Sequence, residues 1–176
     1  MPEPFAFLDP GKLVDEGLEL VLTRTADADP VRGYVPSYEF EMRRVDDSVC
    51  MGKIRLRIGT STELKYPGHL GYEVLEPFRG DHLAARSCNL LLPLCRAHGL
   101  RTVWLTIMPD NVASQRTCQL IGAKYIETVR VPTRHEMFAQ GKTLMCRYRW
   151  DIPSVLVRKV PTSRTGQAGY RKTHNF

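Results

Sequence analysis

Along this chain the spacing of apolar positions changes several times, and each change marks an element. Leu18, Leu20 and Leu22 alternate with Glu19, Val21 and Thr23, which predicts a first strand. Tyr38, Phe40 and Met42 then alternate with Glu39, Glu41 and Arg43, and Ile54, Leu56 and Ile58 with Lys53, Arg55 and Arg57. Both runs have the period of a half-buried strand, and the Asp46-Asp47 turn between them predicts a hairpin. A fourth strand runs from His69 to Leu75. Next comes a helix from about Asp81 to His98, whose Leu83, Ser87, Leu90, Leu91 and Leu94 follow i, i+3, i+4, i+7 spacing. Pro93 lies inside it and predicts a kink, with Gly99 as the stop. Thr102 to Ile107 is apolar enough to be a strand buried on both faces. Asn111 to Ile121 is a second helix, and Lys124 to Val131 and Leu144 to Trp150 are two last alternating strands around a loop at 132–143.

Breakers occupy the remainder. Residues 1–17 read as an irregular lead-in around Pro2, Pro4, Pro10 and Gly11, and Asp27 to Pro36 leaves room for at most a short helical turn. The order of four strands, helix, strand, helix and two strands predicts a mixed α/β sheet of about seven strands with helices packed on its faces.

Composition narrows the class. Of 176 residues, 43% are hydrophobic and 25% charged, ordinary for one globular domain. No apolar run is long enough for a membrane span, and the acidic, proline-bearing start is not a signal peptide. Five cysteines at 50, 88, 95, 118 and 146, odd in number and without CxxC spacing, predict free thiols and a cytoplasmic setting. Cys88, Cys95 and His98 share a helix but spread over about 15 Å of its axis, so no metal is expected there.

The net charge of +6 is concentrated at one end. Arg158, Lys159, Arg164, Arg171 and Lys172 supply five of the 25 basic residues, and no acidic residue follows Asp151. The expectation is a single domain over residues 1–156 and a basic, disordered tail over 157–176. Such a tail fits a solubilising end better than a nucleic-acid contact.

The chemistry centres on Gly68 to Ala84. This stretch reads as a strand ending near Pro77, a turn through Arg79-Gly80, and entry into an apolar helix. A strand that turns tightly into a helix N-terminus gathers unpaired N–H groups and the positive end of the helix dipole, which suits a pyrophosphate. Asn111-Val112-Ala113-Ser114 opens the second helix about thirty residues later.

At these two motifs the chain resembles the GNAT superfamily of acyl-CoA-dependent N-acetyltransferases. The family's pyrophosphate loop, Arg/Gln-x-x-Gly-x-Gly/Ala, is matched by Arg79, His82 and Ala84, with Gly80 after the arginine. The second motif, an Asn followed by a small residue, often a Tyr, and a Gly, is matched by Asn111, Ser114, Cys118 and Gly122. The resemblance covers roughly residues 50 to 131. It implies a mostly antiparallel central sheet with helices on both faces, and an acetyltransferase that uses acetyl-CoA and a primary amine. The expected acceptor is a small-molecule or peptide amine, with no membrane as partner and nucleic acid the less favoured one.

The resemblance also implies cofactor contacts. Tyr72, Glu73 and Val74 would lie along the pantetheine arm, with the Val74 N–H on the thioester oxygen. Arg79, Gly80, Asp81, His82, Leu83, Ala84 and Ala85 would hold the pyrophosphate, and Asn111, Ser114 and Cys118 would approach from the second helix. His82 stands where the family has glycine, either as a tolerated helix-entry residue or as an added donor. Cys118 stands where a tyrosine often protonates the leaving thiolate, and reads either as that acid or as a plain buried cysteine. Candidates for the base are Glu73, His69, His135 and Glu136, or water, or no dedicated base at all; Thr106 occupies the position of a base on the next strand and cannot serve. Period-2 alternation sets Glu73 and His69 on the face opposite Leu70 and Tyr72.

Three readings remain at this level. They are the acetyltransferase, an acyl-CoA-binding regulatory domain that has lost turnover, and a nucleic-acid-associated protein using the tail. The final strand, with Leu144, Cys146, Tyr148 and Trp150, offers an edge for a homodimer.

Overall fold

The computed structural model describes residues 3–154, so the tail expected at 157–176 lies outside the described residues. Eight strands form one sheet: β1 (Leu13–Asp15), β2 (Leu18–Ala26), β3 (Ser37–Arg44), β4 (Cys50–Arg57), β5 (Leu70–Val74), β6 (Thr102–Ile107), β7 (Lys124–Arg130) and β8 (Leu144–Asp151). Their spatial order is β1-β2-β3-β4-β5-β6-β8-β7. Every pairing is antiparallel except β5 with β6.

The strand beyond the expected seven is β1. It is three residues long and joins β2 through Glu16 and Gly17, both at positive φ (38° and 85°). A two-residue turn with positive φ at both positions matches the twist of a hairpin, and only Gly17 signals it in the sequence. β8 lies between β6 and β7, so both its edges are paired. The free edge proposed there for a homodimer is taken, and β7 is the outer strand instead.

Alternation sorts the strands into two faces. Leu18 and Leu20 of β2, Tyr38, Phe40 and Met42 of β3, Ile54 and Leu56 of β4, Leu70 of β5 and Val103 and Leu105 of β6 are all buried in one apolar cluster. The helices α1 (Leu83–Leu90), α2 (Leu92–Ala97) and α3 (Val112–Ile121) add Leu83, Cys88, Leu94, Cys95, Cys118 and Ile121 to that cluster, and Leu91 between the first two joins them. Each fully buried leucine or phenylalanine contributes about 2 kcal/mol by leaving water. A smaller cluster of Val131, Met137 and Met145 forms on the other face beneath α4 (Glu136–Ala139).

Pro93 breaks the long helix as expected. α1 ends at Leu90, Leu91 bridges, and α2 carries the proline in its first turn, where a missing N–H costs little. Gly99 follows at φ 72°, and the N–H of Leu100 returns to the Cys95 carbonyl at 3.0 Å. The lead-in is ordered at its apolar end: the Leu8 N–H donates to the Tyr38 hydroxyl (2.7 Å), which also bonds His98 Nε2 (2.7 Å). No helix among the described residues is long and apolar enough to cross a membrane.

Candidate active site

β5 and β6 are parallel neighbours that share a single paired position, Leu70 with Leu105. Beyond it no ladder pairing continues, and the sheet splits. The N–H of Leu75 bonds to the Met51 carbonyl of β4, so by alternation the backbone groups of Tyr72 and Val74 point the other way, into the split.

His69 pins the apex of this split. Its N–H donates to the Trp104 carbonyl (2.7 Å), its Nδ1 accepts from the Trp104 N–H (3.0 Å), and its Nε2 donates to the Gly59 carbonyl (3.0 Å). Both ring nitrogens are thus occupied on a buried, neutral ring, and burial is the first cause of its lowered pKa. His69 is a structural clasp, with no free nitrogen to act as a base. Its parity gave the direction of the ring, but nothing in the sequence showed the two partners.

At the other end of β5 the chain makes a 3-10 turn (Glu76–Phe78) and reaches the loop before α1. Arg79 Nε donates to the Val74 carbonyl at 3.1 Å, which ties the loop to the tip of the strand. Gly80 has φ 105° and open space at the position of a Cβ. His82 adopts φ 55°, ψ 30°, the left-handed conformation that glycine reaches without strain. The glycine-like backbone is therefore kept although the residue is not glycine. His82 caps no N–H with its side chain, leaving the first turn of α1 (Leu83, Ala84, Ala85) open at its N-terminal end. The loop fits a pyrophosphate by its backbone. The side chains of Leu83, Ala84 and Ala85 are buried, while Asp81 and His82 are exposed.

A cavity of about 980 Å³ enters the split from the polar side. Leu70, Gly71 and Tyr72 line it on one flank, and Thr106, Ile107 and Met108 on the other, and Asn111 and Ser114 line it too. The Asn111 side chain caps α3, accepting from the Ser114 N–H at 3.1 Å. Tyr72 crosses to the helical face, where its buried hydroxyl lies near Ser114 and Thr117 without a hydrogen bond of ordinary geometry. Burial, then the neighbouring thiols of Cys88 and Cys118, push its pKa up.

The two side chains expected to move protons are not at the cavity. Glu73 is exposed on the polar face, opposite Lys53 of β4, and is not part of the cavity wall. Cys118 is sealed in the core, and burial pushes its thiol up to about 12. His135 and Glu136 do line the cavity, but each is engaged. His135 Nδ1 accepts from the Met137 N–H (3.2 Å), and Glu136 accepts from the Tyr34 hydroxyl. Thr106 donates to the Tyr66 carbonyl (2.6 Å).

The signal missed in the sequence is the charge on the cavity wall. Arg55 and Arg57 of β4 stand on the same face as Glu39 of β3, and all three line the cavity with Arg24, Arg134 and Lys142 from neighbouring segments. In the sequence Arg55 and Arg57 read only as polar positions of a half-buried strand, and Arg134 and Lys142 only as loop residues.

The family model described as the acetyltransferase (GNAT) family matches residues 19–123. No curated protein sequence matches the chain significantly. Among solved structures, a putative ribosomal-protein-serine acetyltransferase from Vibrio cholerae superposes with TM-score 0.60 and 15% identity, covering 83% of this chain and 100% of that one. The microcin C7 self-immunity acetyltransferase MccE, solved with acetyl-CoA and AMP, gives TM-score 0.52 and 16% identity over 66% of this chain and 61% of its own. RimL, a ribosomal L7/L12 alpha-N-protein acetyltransferase solved with coenzyme A, gives 0.52 and 17% over 69% and 64%. The chain thus spans less than two thirds of these last two proteins. At such identities the likeness is one of fold.

Proposed function

Because the chain belongs to the GNAT acetyltransferase family, we propose that it moves an acetyl group from acetyl-CoA to a primary amine of an acceptor seated in the polar-face cavity. The observation that carries this reading is the split between β5 and β6, which joins that cavity to a strand edge ending at the α1 turn. Coenzyme-bound neighbours with the same fold support acetyl-CoA as the donor.

In this reading Arg79, Gly80 and the open N–H groups at the start of α1 hold the pyrophosphate. The inward N–H groups of Tyr72 and Val74 receive the pantetheine arm, and the Val74 N–H faces the acyl oxygen. Acetyl-CoA supplies an activated thioester, whose C–S bond breaks as the acceptor nitrogen bonds to the acetyl carbon and sheds a proton. The chain aligns the two reactants on either side of the split, and alignment alone is worth several orders of magnitude in rate. Neither Glu73 nor Cys118 is assigned the proton step, since one stands outside the cavity and the other is sealed. Water in the open cavity takes that role. The acceptor amine enters past Thr106 and Met108.

The left-handed backbone at His82 weighs against a domain whose loop has decayed. Calorimetric titration with acetyl-CoA tests the reading, beside an Arg79→Glu variant and an amine screen with free-thiol detection. Micromolar binding weakened at least about tenfold in the variant supports it. A folded wild-type protein that binds no acetyl-CoA refutes it.

A further inference from the structure

The cavity wall holds more cation than it pairs. Arg55 is bonded to Glu39, Glu63 is turned onto the N–H and hydroxyl of Thr60, and Glu136 is held by Tyr34. Arg24, Arg57, Arg134 and Lys142 have no carboxylate within ion-pair distance among the described residues, and Asp27 is the one carboxylate of the wall left unengaged.

Among these cations Arg57 is placed rather than merely present. It is half-buried on β4, and its Nη1 makes only long contacts to the carbonyls of Pro67 (3.5 Å) and Gly68 (3.4 Å). Its Nε and Nη2 donate to nothing among the described residues. The guanidinium lies over Gly71, where a Cβ would stand 3.4 Å from Nη1 and 3.7 Å from Nη2. Gly71 is the residue after the one position of β5 paired with β6, so the fork of donors sits beside the apex of the split. Burial, then the adjacent Arg55, bring its pKa down to about 10, and the more distant carboxylate of Glu136 offsets them only in part.

We infer that Arg57 is a receptor for an anionic group on the acceptor, so that the substrate is an amine that also carries a carboxylate or phosphate. This rests on the cavity being the acceptor side of the transfer site. A planar guanidinium with two adjacent free donors binds either anion bidentately, and desolvation strengthens the pairing. Gly71 lies three residues before Val74, about 10 Å along β5, so the acceptor's anion and its amine stand several bonds apart.

The test follows the arginine Nε–Hε NMR signals of the whole chain during titration with sodium acetate, inorganic phosphate and, as an ionic-strength control, sodium chloride. The Arg57 signal is assigned by its absence from Arg57→Gln. The expected result is a saturable millimolar shift at Arg57 with acetate or phosphate and none with chloride. Arg57→Lys, which keeps the charge but loses the fork, should bind the anion about tenfold more weakly. The anion that binds tighter distinguishes a carboxylate acceptor from a phosphorylated one. A shift that never saturates, matches that with chloride, or persists at other arginines in Arg57→Gln overturns the inference. Acetyl-CoA calorimetry on the same wild-type sample is a separate readout. No acetyl-CoA binding there refutes the acyl-transfer reading, whereas acetyl-CoA binding without an anion shift refutes only the role of Arg57.

Discussion

The same strands build both faces of the sheet, and the faces do different work. Phe40 of β3 is 1% exposed inside the apolar cluster, while its neighbour Glu39 reaches the cavity and pairs with Arg55. On the helical face three helices press on apolar side chains, and titrating groups such as Cys88, Cys118 and Tyr72 are pushed toward their neutral forms by burial. On the opposite face the charges are largely solvated, with α4 covering only one end. Stability is thus concentrated on one side, and the proposed acceptor site lies on the other. The split between β5 and β6 is where the two sides meet.

Substitutions at adjacent residues should separate the faces. Phe40→Ala is expected to lower stability by about 4 kcal/mol through lost burial and a cavity. Glu39→Gln, which removes one member of a partly exposed pair, should cost less than about 1 kcal/mol. Chemical denaturation of both variants checks this, and equal losses would break the comparison.

His69 should behave as a member of the stable side although it projects from the polar one. His69→Ala leaves the Trp104 N–H and the Gly59 carbonyl without partners and opens a void, at a cost of about 3 kcal/mol. Its folded pKa is depressed, so the unfolded chain takes up a proton first as pH falls. The stability it contributes is present above about 6.5 and is lost progressively below it. His98, also lowered by burial, adds in the same direction. Thermal melts from neutral to acidic pH should show the decline, and it should be shallower in His69→Ala. An unchanged slope would place the titration elsewhere.

The proton step gives a smaller expected effect. Glu73→Gln and Cys118→Ala should each keep turnover within about tenfold of wild type, because the first is outside the cavity and the second is sealed. A dedicated general acid or base is worth about a hundredfold or more, so a loss of that size in a folded variant would return the step to that residue. The smallest change is His82→Gly, which relieves the left-handed strain and should raise stability by up to about 1 kcal/mol. Destabilisation on denaturation would mean that the imidazole makes a compensating contact.

How much of this was legible follows from the same contrast. The helical face was readable because burial imposes a period: Leu18/Leu20, Phe40/Met42 and Ile54/Leu56 mark their strands, and Pro93 and Gly99 mark the helix break and stop. β1 was missed because three residues carry no period, and the outer place of β7 was missed because pairing order is set by tertiary packing. At the site, the motif residues Arg79 to Ala84 and Asn111 to Ser114 were readable as local backbone signals. Glu73 and Cys118 were chosen by position along the chain, which says nothing about exposure. Arg57 was unreadable as a site residue, since a strand-face arginine looks the same whether a carboxylate or an open cavity lies above it.

In the proposed reading, backbone N–H groups of the split and of the α1 turn form the acetyl-CoA site. Amide hydrogen exchange with and without acetyl-CoA reads those groups one by one. Slowed exchange at Tyr72, Val74, Leu83, Ala84 and Ala85, with little change along β7, is the predicted result. Saturating acetyl-CoA that leaves those five amides unchanged would contradict it.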